Sequence, residues 1–152
     1  RGSALPVRGA ATVLQLGAWG AATVLGVRGR WNAIAGISIA GAAAAIKPAP
    51  GATTVERLYD ATPHTLFAVI KDAPAKAHTL LVVAHNPGLQ ELALMLIASG
   101  DIDARERLHE KLPTSGLVII DFAFDDSAKL HPQSGRLERF VSPRSLDAAT
   151  GV

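Results

Sequence analysis

The stretch Thr79-Leu80-Leu81-Val82-Val83-Ala84-His85-Asn86-Pro87-Gly88-Leu89-Gln90-Glu91-Leu92 decides how the chain folds. Residues 80–84 form an unbroken apolar run, the pattern of a strand covered on both faces. Pro87 fixes its own φ and restricts Asn86, so the strand must end there, and Gly88 supplies the freedom a sharp turn needs. Beyond it, Leu89, Leu92, Ala93, Leu96 and Ile97 recur at helical spacing, and the helix is expected to stop near Ser99-Gly100. A strand that feeds a helix through a polar turn puts His85 at the carboxyl end of a sheet, where open α/β folds bind ligands. The helix amino terminus that follows is a candidate anion site.

The flanks extend this pattern. Upstream, residues 53–59 read as a short strand or turn, and Thr62 is a natural N-cap with Pro63 at the first helical position. The helix that follows carries Leu66, Phe67, Val69 and Ile70 on one face and ends near Asp72-Ala73-Pro74. Downstream, residues 101–111 are charged and read as a solvated helix or loop. Leu112-Pro113-Thr114-Ser115-Gly116 is a turn into an apolar strand over residues 117–124. A polar connection over 125–134 leads to a last strand over 136–141, and the tail from Ser142 is expected to fray. This order fits an α/β three-layer sandwich, with a central, mostly parallel sheet and helices on both faces.

The amino-terminal third is different. No Asp or Glu precedes Glu56, whereas Arg1, Arg8, Arg28, Arg30 and Lys47 are basic. Six glycines interrupt residues 1–30, where only Thr12-Val13-Leu14 and Thr23-Val24-Leu25 suggest strands. Residues 31–46 read as helical, and Lys47-Pro48-Ala49-Pro50-Gly51 is a break. The chain therefore divides into an atypical Ala/Gly-rich segment, 1–50, expected to be incomplete or irregular, and an orderly α/β portion, 51–152. The uncharged run 31–46 is shorter than the roughly 20 residues that span a bilayer, so no membrane role is expected. A cleaved leader would begin at the start of the chain, not inside it.

With 152 residues the chain can bury a real core as one domain. It has no cysteine, which excludes disulfides and thiolate metal sites and is compatible with a cytoplasmic location. A net charge of +2 with few, scattered aromatics argues against nucleic acid. There is no P-loop, no GxGxxG after a strand, no HExxH and no GxSxG. Five histidines occur, and none lies four residues from another with a carboxylate between, so no metal and no cofactor is expected. His64, His78, His109 and His131 sit beside polar residues and read as surface positions. His85 is placed either for satisfaction by backbone groups or for donation to an oxyanion beside backbone N–H groups.

Residues 80–88 followed by Leu89-Gln90-Glu91-Leu92-Ala93 resemble the second-histidine motif of the histidine phosphatase (phosphoglycerate mutase-like) superfamily. The match is to its small SixA-type phosphohistidine phosphatase branch. Val55-Glu56-Arg57-Leu58-Tyr59-Asp60-Ala61 is similar to the segment before that branch's middle helix. Leu112-Pro113-Thr114-Ser115-Gly116-Leu117 and Gly135-Arg136-Leu137 are similar to its later turn and closing strand. The resemblance covers about residues 53 to 146. It implies hydrolysis of protein phosphohistidine or of a small phosphomonoester, through a phosphohistidine intermediate and without metal or cofactor. It makes His85 an oxyanion donor and groups His85, Asn86, Arg28 and Arg30 as phosphate-binding residues.

The sequence departs from that family in one decisive respect. The family's nucleophile is a histidine in an amino-terminal Arg-His-Gly or Arg-His-Ala motif, and no Arg-His pair occurs here; no histidine precedes His64. Arg28 or Arg30 stands near the place of the family's second arginine, before the family-like Trp31-Asn32-Ala33-Ile34-Ala35. The implied enzyme therefore lacks its covalent step. Two alternatives follow: a non-catalytic anion-binding remnant that keeps the His85 pocket, or an unstable product of a shifted reading frame with an unfinished sheet.

Overall fold

The computed structural model describes residues 10–15, 23–26, 51–58, 60–73, 79–84, 86–114, 116–124 and 126–151. In chain order they form β1 (Ala10–Gln15), β2 (Thr23–Gly26), β3 (Gly51–Thr54), α1 (Pro63–Lys71), β4 (Thr79–Ala84), α2 (Gly88–Leu96), β5 (Ile97–Gly100), α3 (Ile102–Glu110), β6 (Leu117–Phe122), β7 (Gly135–Val141) and α4 (Pro143–Thr150). Short 3-10 turns cover Glu56–Leu58 and Ser127–Lys129. The chain is a mixed α/β protein.

All seven strands join one sheet in the order β3-β2-β4-β1-β6-β7-β5. Among the described residues only β1–β4 and β5–β7 pair parallel; β1–β6, β2–β3, β2–β4 and β6–β7 pair antiparallel. The mostly parallel sheet expected from sequence is therefore corrected to a mixed one. An apolar run identifies a strand but carries no sign of its direction. β6 and β7 follow one another in the chain and pair as antiparallel neighbours, an arrangement that needs no crossover helix.

The amino-terminal segment contributes to the centre of this sheet. β1 pairs along its whole length with β4, Ala10 opposite Thr79 through Gln15 opposite Ala84, and β2 flanks β4 on the other side. Thr12-Val13-Leu14 and Thr23-Val24-Leu25 thus lie in strands, as their β-branched and apolar character suggests.

Alternate residues of the central strands point to one face and meet the helices there. Leu80, Val82 and Ala84 of β4, Val118, Ile120 and Phe122 of β6, and Leu137 of β7 form one cluster with Leu66 and Ile70 of α1, Leu89, Leu92 and Leu96 of α2, and Leu108 of α3. Leu81 and Val83 belong to the opposite face of β4, yet they are 1% and 3% exposed. The helix expected over residues 31–46 lies outside the described residues.

Two local expectations change and one is narrowed. The helix after the His85 turn ends at Leu96 instead of continuing to Ser99, and Ile97 is already extended. Gln133 terminates it, donating its backbone N–H to the Met95 carbonyl at 2.9 Å, and residues 97–100 become an edge strand on β7. The apolar spacing ran on past the real end, because the partner that stops the helix is distant in sequence. Of the helix or loop expected over residues 101–111 the structure gives the helix, α3, with Asp101 as N-cap, its carboxylate accepting from Ala104 N–H, and with Ala104 and Leu108 buried. The tail forms α4, closed by a reciprocal capping box between Ser142 and Ser145, Pro143 in its first turn and Gly151 in the left-handed conformation behind it.

Candidate functional site

β4 is buried from Leu80 to Ala84 and ends in the middle of the sheet. The chain then turns through Asn86 and Pro87 and enters α2 at Gly88. His85, Arg28 and Arg30, three of the four residues expected to bind phosphate, lie outside the described residues, as does His78. Asn86 is described, and both ends of its amide are engaged within the protein. Its Oδ1 accepts the Gln90 N–H at 3.2 Å, so it caps the first turn of α2 from one residue before the Pro87 cap position. Its Nδ2 donates to the Leu112 carbonyl at 2.7 Å.

Gly88 is held close to another segment. A Cβ built there would strike the carbonyl oxygen of Ala61, just before the Thr62 cap of α1. Thr62 Oγ1 accepts the Thr65 N–H at 3.3 Å, as expected of an N-cap. The amino termini of α1 and α2 therefore meet at Ala61 and Gly88.

Register places the third segment. Leu14 is opposite Leu117 and Gln15 is opposite Ala84, so residues 112–116 enter β6 at the same end of the sheet at which β1 and β4 finish. Gly116 N–H donates to Pro113 O at 2.9 Å and closes that turn. The turns at 60–62, 86–88 and 112–116 thus gather around the carboxyl end of β4, the position at which α/β sheets hold ligands. Gln90 is a residue the sequence reading passed over. Its Oε1 accepts the Leu112 N–H at 3.1 Å, and its Nε2 donates to the carbonyls of Leu108 and His109 at 3.0 and 3.1 Å. The available signal was a long amide one helical turn after Asn86.

Asp121 stands apart from this site. It is opposite Ala10, at the other end of β1. Burial raises its pKa, the nearby Glu138 charge adds to the rise, and Arg136 opposes it; its buried Oδ1 has no hydrogen-bond partner among the described residues. A raised folded-state pKa means that the folded chain holds this proton more tightly than the unfolded one. The resulting stability is full below the ordinary aspartate range and is lost as pH rises through the raised value. Asp121→Asn is therefore expected to raise the unfolding midpoint at pH 7 and to leave it almost unchanged at about pH 4, where an ordinary aspartate is already half protonated. Thermal melts at the two pH values check this; an equal effect at both would assign the change to something other than charge.

A shallow cleft of about 490 Å³ lies between the end of α2, β5 and α3, with Arg105, Glu106 and Gln133 in its lining. No group of three metal-ligating side chains occurs among the described residues, His64, His109 and His131 are exposed, and no helix among those residues is long and apolar enough to cross a membrane.

No family model matches the chain. An uncharacterized protein of Mycobacterium leprae (strain TN) is 38% identical over 90 residues, 59% of this chain and 55% of its own length. An uncharacterized protein of Mycobacterium tuberculosis (strain ATCC 25618 / H37Rv) is 38% identical over 91 residues, 59% of this chain and 57% of its own length. The chain spans about half the length of the curated relatives it matches. Among solved structures, the provisionally named phosphohistidine phosphatase SixA of Agrobacterium tumefaciens aligns with a TM-score of 0.48 at 19% identity, over 91% of this chain and all of that one. The provisionally named SixA of Nakamurella multipartitia gives the same score and identity over 59% of this chain and 55% of its own.

Proposed function

We propose that the chain is a histidine phosphatase-type domain whose His85 turn binds a phosphoryl group but which has lost the histidine that would accept it covalently. The observation that carries this reading is the course of the chain on either side of His85: β4 ends at Ala84, beside the end of β1, and α2 opens at Gly88 directly after Asn86-Pro87. A phosphate there would meet an imidazole donor and the positive end of a helix, two elements of a preorganised oxyanion site. Phosphoryl transfer draws most of its rate from such positioning and charge stabilisation. The covalent route also needs a nucleophile, and no Arg-His pair exists in the 152 residues.

In this reading His85 is an oxyanion donor, Asn86 shapes the turn, and Arg28 or Arg30 supplies the remaining positive charge. The bound group is a phosphate ester or a phosphohistidine side chain, with no metal or cofactor required, in a cytoplasmic setting. Residues 1–50 remain the altered part and 51–152 the family-like part. In this reading the sandwich has a third layer, over Leu81 and Val83. The near-complete burial of those two side chains, on the face away from α1–α3, supports that layer.

The reading is tested by incubating the purified chain with para-nitrophenyl phosphate. Release of nitrophenol is expected to stay at the buffer rate. Turnover that disappears in His85→Ala would overturn the inactive assignment and require another nucleophile.

A further inference from the structure

We infer that Gln90 is a positioning residue for the proposed anion site: together with Asn86 it clamps the backbone of Leu112 and so ties the entry to β6 to Asn86, the residue that follows His85 in the chain. The inference rests on the phosphate-binding reading above and adds a residue to which that reading gave no role.

The geometry is specific. Two side-chain amides grip the two polar backbone groups of one residue, as a neighbouring strand would. Gln90 Oε1 accepts the Leu112 N–H at 3.1 Å, while Asn86 Nδ2 donates to the Leu112 carbonyl at 2.7 Å. Leu112 is 1% exposed, so water cannot readily replace either bond. The other end of Gln90 holds the Leu108 and His109 carbonyls, two of the last four in α3, which have no partners within their own helix. One side chain therefore ties the first turn of α2 to the end of α3 and to the turn entering β6.

Asn86 is the residue next to His85, and its own grip on Leu112 depends on where Leu112 sits. Without Gln90, Leu112 is held at one end only, and the Asn86 side chain loses a fixed acceptor. The consequence falls on Asn86 and, through the chain, on its neighbour His85. A helix-forming residue such as Leu or Met at position 90 would suit α2 equally well by propensity. An amide is needed only for the clamp.

The experiment is a titration of the full chain with inorganic phosphate followed by NMR, well below the unfolding midpoint. It compares the unaltered chain with His85→Ala, Gln90→Ala, Gln90→Met and, as a stability control, Ile70→Val in the core of α1. The expected result is phosphate affinity about tenfold weaker in both Gln90 variants, with Ile70→Val binding as the unaltered chain does despite a lower midpoint. Gln90→Met keeps the length and helix propensity of glutamine, so it reports on the clamp if Gln90→Ala folds poorly. If the unaltered chain and His85→Ala differ but both Gln90 variants bind like the unaltered chain, Gln90 only supports the fold and the inference is overturned. If the unaltered chain binds no phosphate, or His85→Ala binds as well as it does, the phosphate reading fails and takes this inference with it.

Discussion

Gly88→Ala is expected to lower the thermal unfolding midpoint by roughly 6–12 °C, about 3 kcal/mol in a chain of this size. Helix propensity alone gives the opposite sign, since alanine inside a helix is favoured over glycine by about 1 kcal/mol. Contact decides. The added methyl would overlap the Ala61 carbonyl oxygen and approach the Ala61 carbonyl carbon to 3.2 Å and Leu66 Cδ1 to 3.4 Å. A flexible side chain could swing aside, but a backbone carbonyl cannot. Ala61 is further constrained between Asp60, whose φ is +48°, and the Thr62 cap. Circular dichroism melts of the two proteins measure the effect, and a midpoint within about 2 °C of the unaltered chain would mean that α1 and α2 are not packed at this point.

Much of this arrangement was legible in the sequence, for reasons particular to each residue. The apolar run before His85, the Pro87 break and the helical spacing from Leu89 each act locally, and they placed β4 and α2 before any tertiary contact was known. Thr62 followed by Pro63 likewise fixed the start of α1. What stayed hidden depends on partners far along the chain. The end of α2 at Leu96 is set by Gln133, the clamp on Leu112 by side chains more than twenty residues away, and strand direction by the whole topology. The α4 helix is a different case. Ser142-Pro143 ahead of Ser145 is a local cap signal, and it outweighs the position and polarity that suggest a fraying tail. Of the expected site residues, Asn86 could be followed into the structure, and it anchors the turn from both ends of its amide.

The second large effect concerns the proposed site, and it follows from the charge of the phosphate assigned to it. A hydrogen bond from a side chain to a charged group contributes about 1.5–3 kcal/mol. Removing the imidazole should therefore weaken phosphate binding roughly ten- to a hundredfold. The backbone N–H groups at the start of α2 would remain, so binding should be reduced and not merely shifted to another place on the surface. Salt should weaken what is left, because screening acts most strongly on an exposed anion site.

The most direct measurement is accordingly a calorimetric titration of inorganic phosphate into the unaltered chain and into His85→Ala at neutral pH. Saturable binding at a single site, lost or weakened at least tenfold in His85→Ala, is the expected result. Equal affinity in the two proteins, or no binding to either, would contradict the assignment of the His85 turn as a phosphate site.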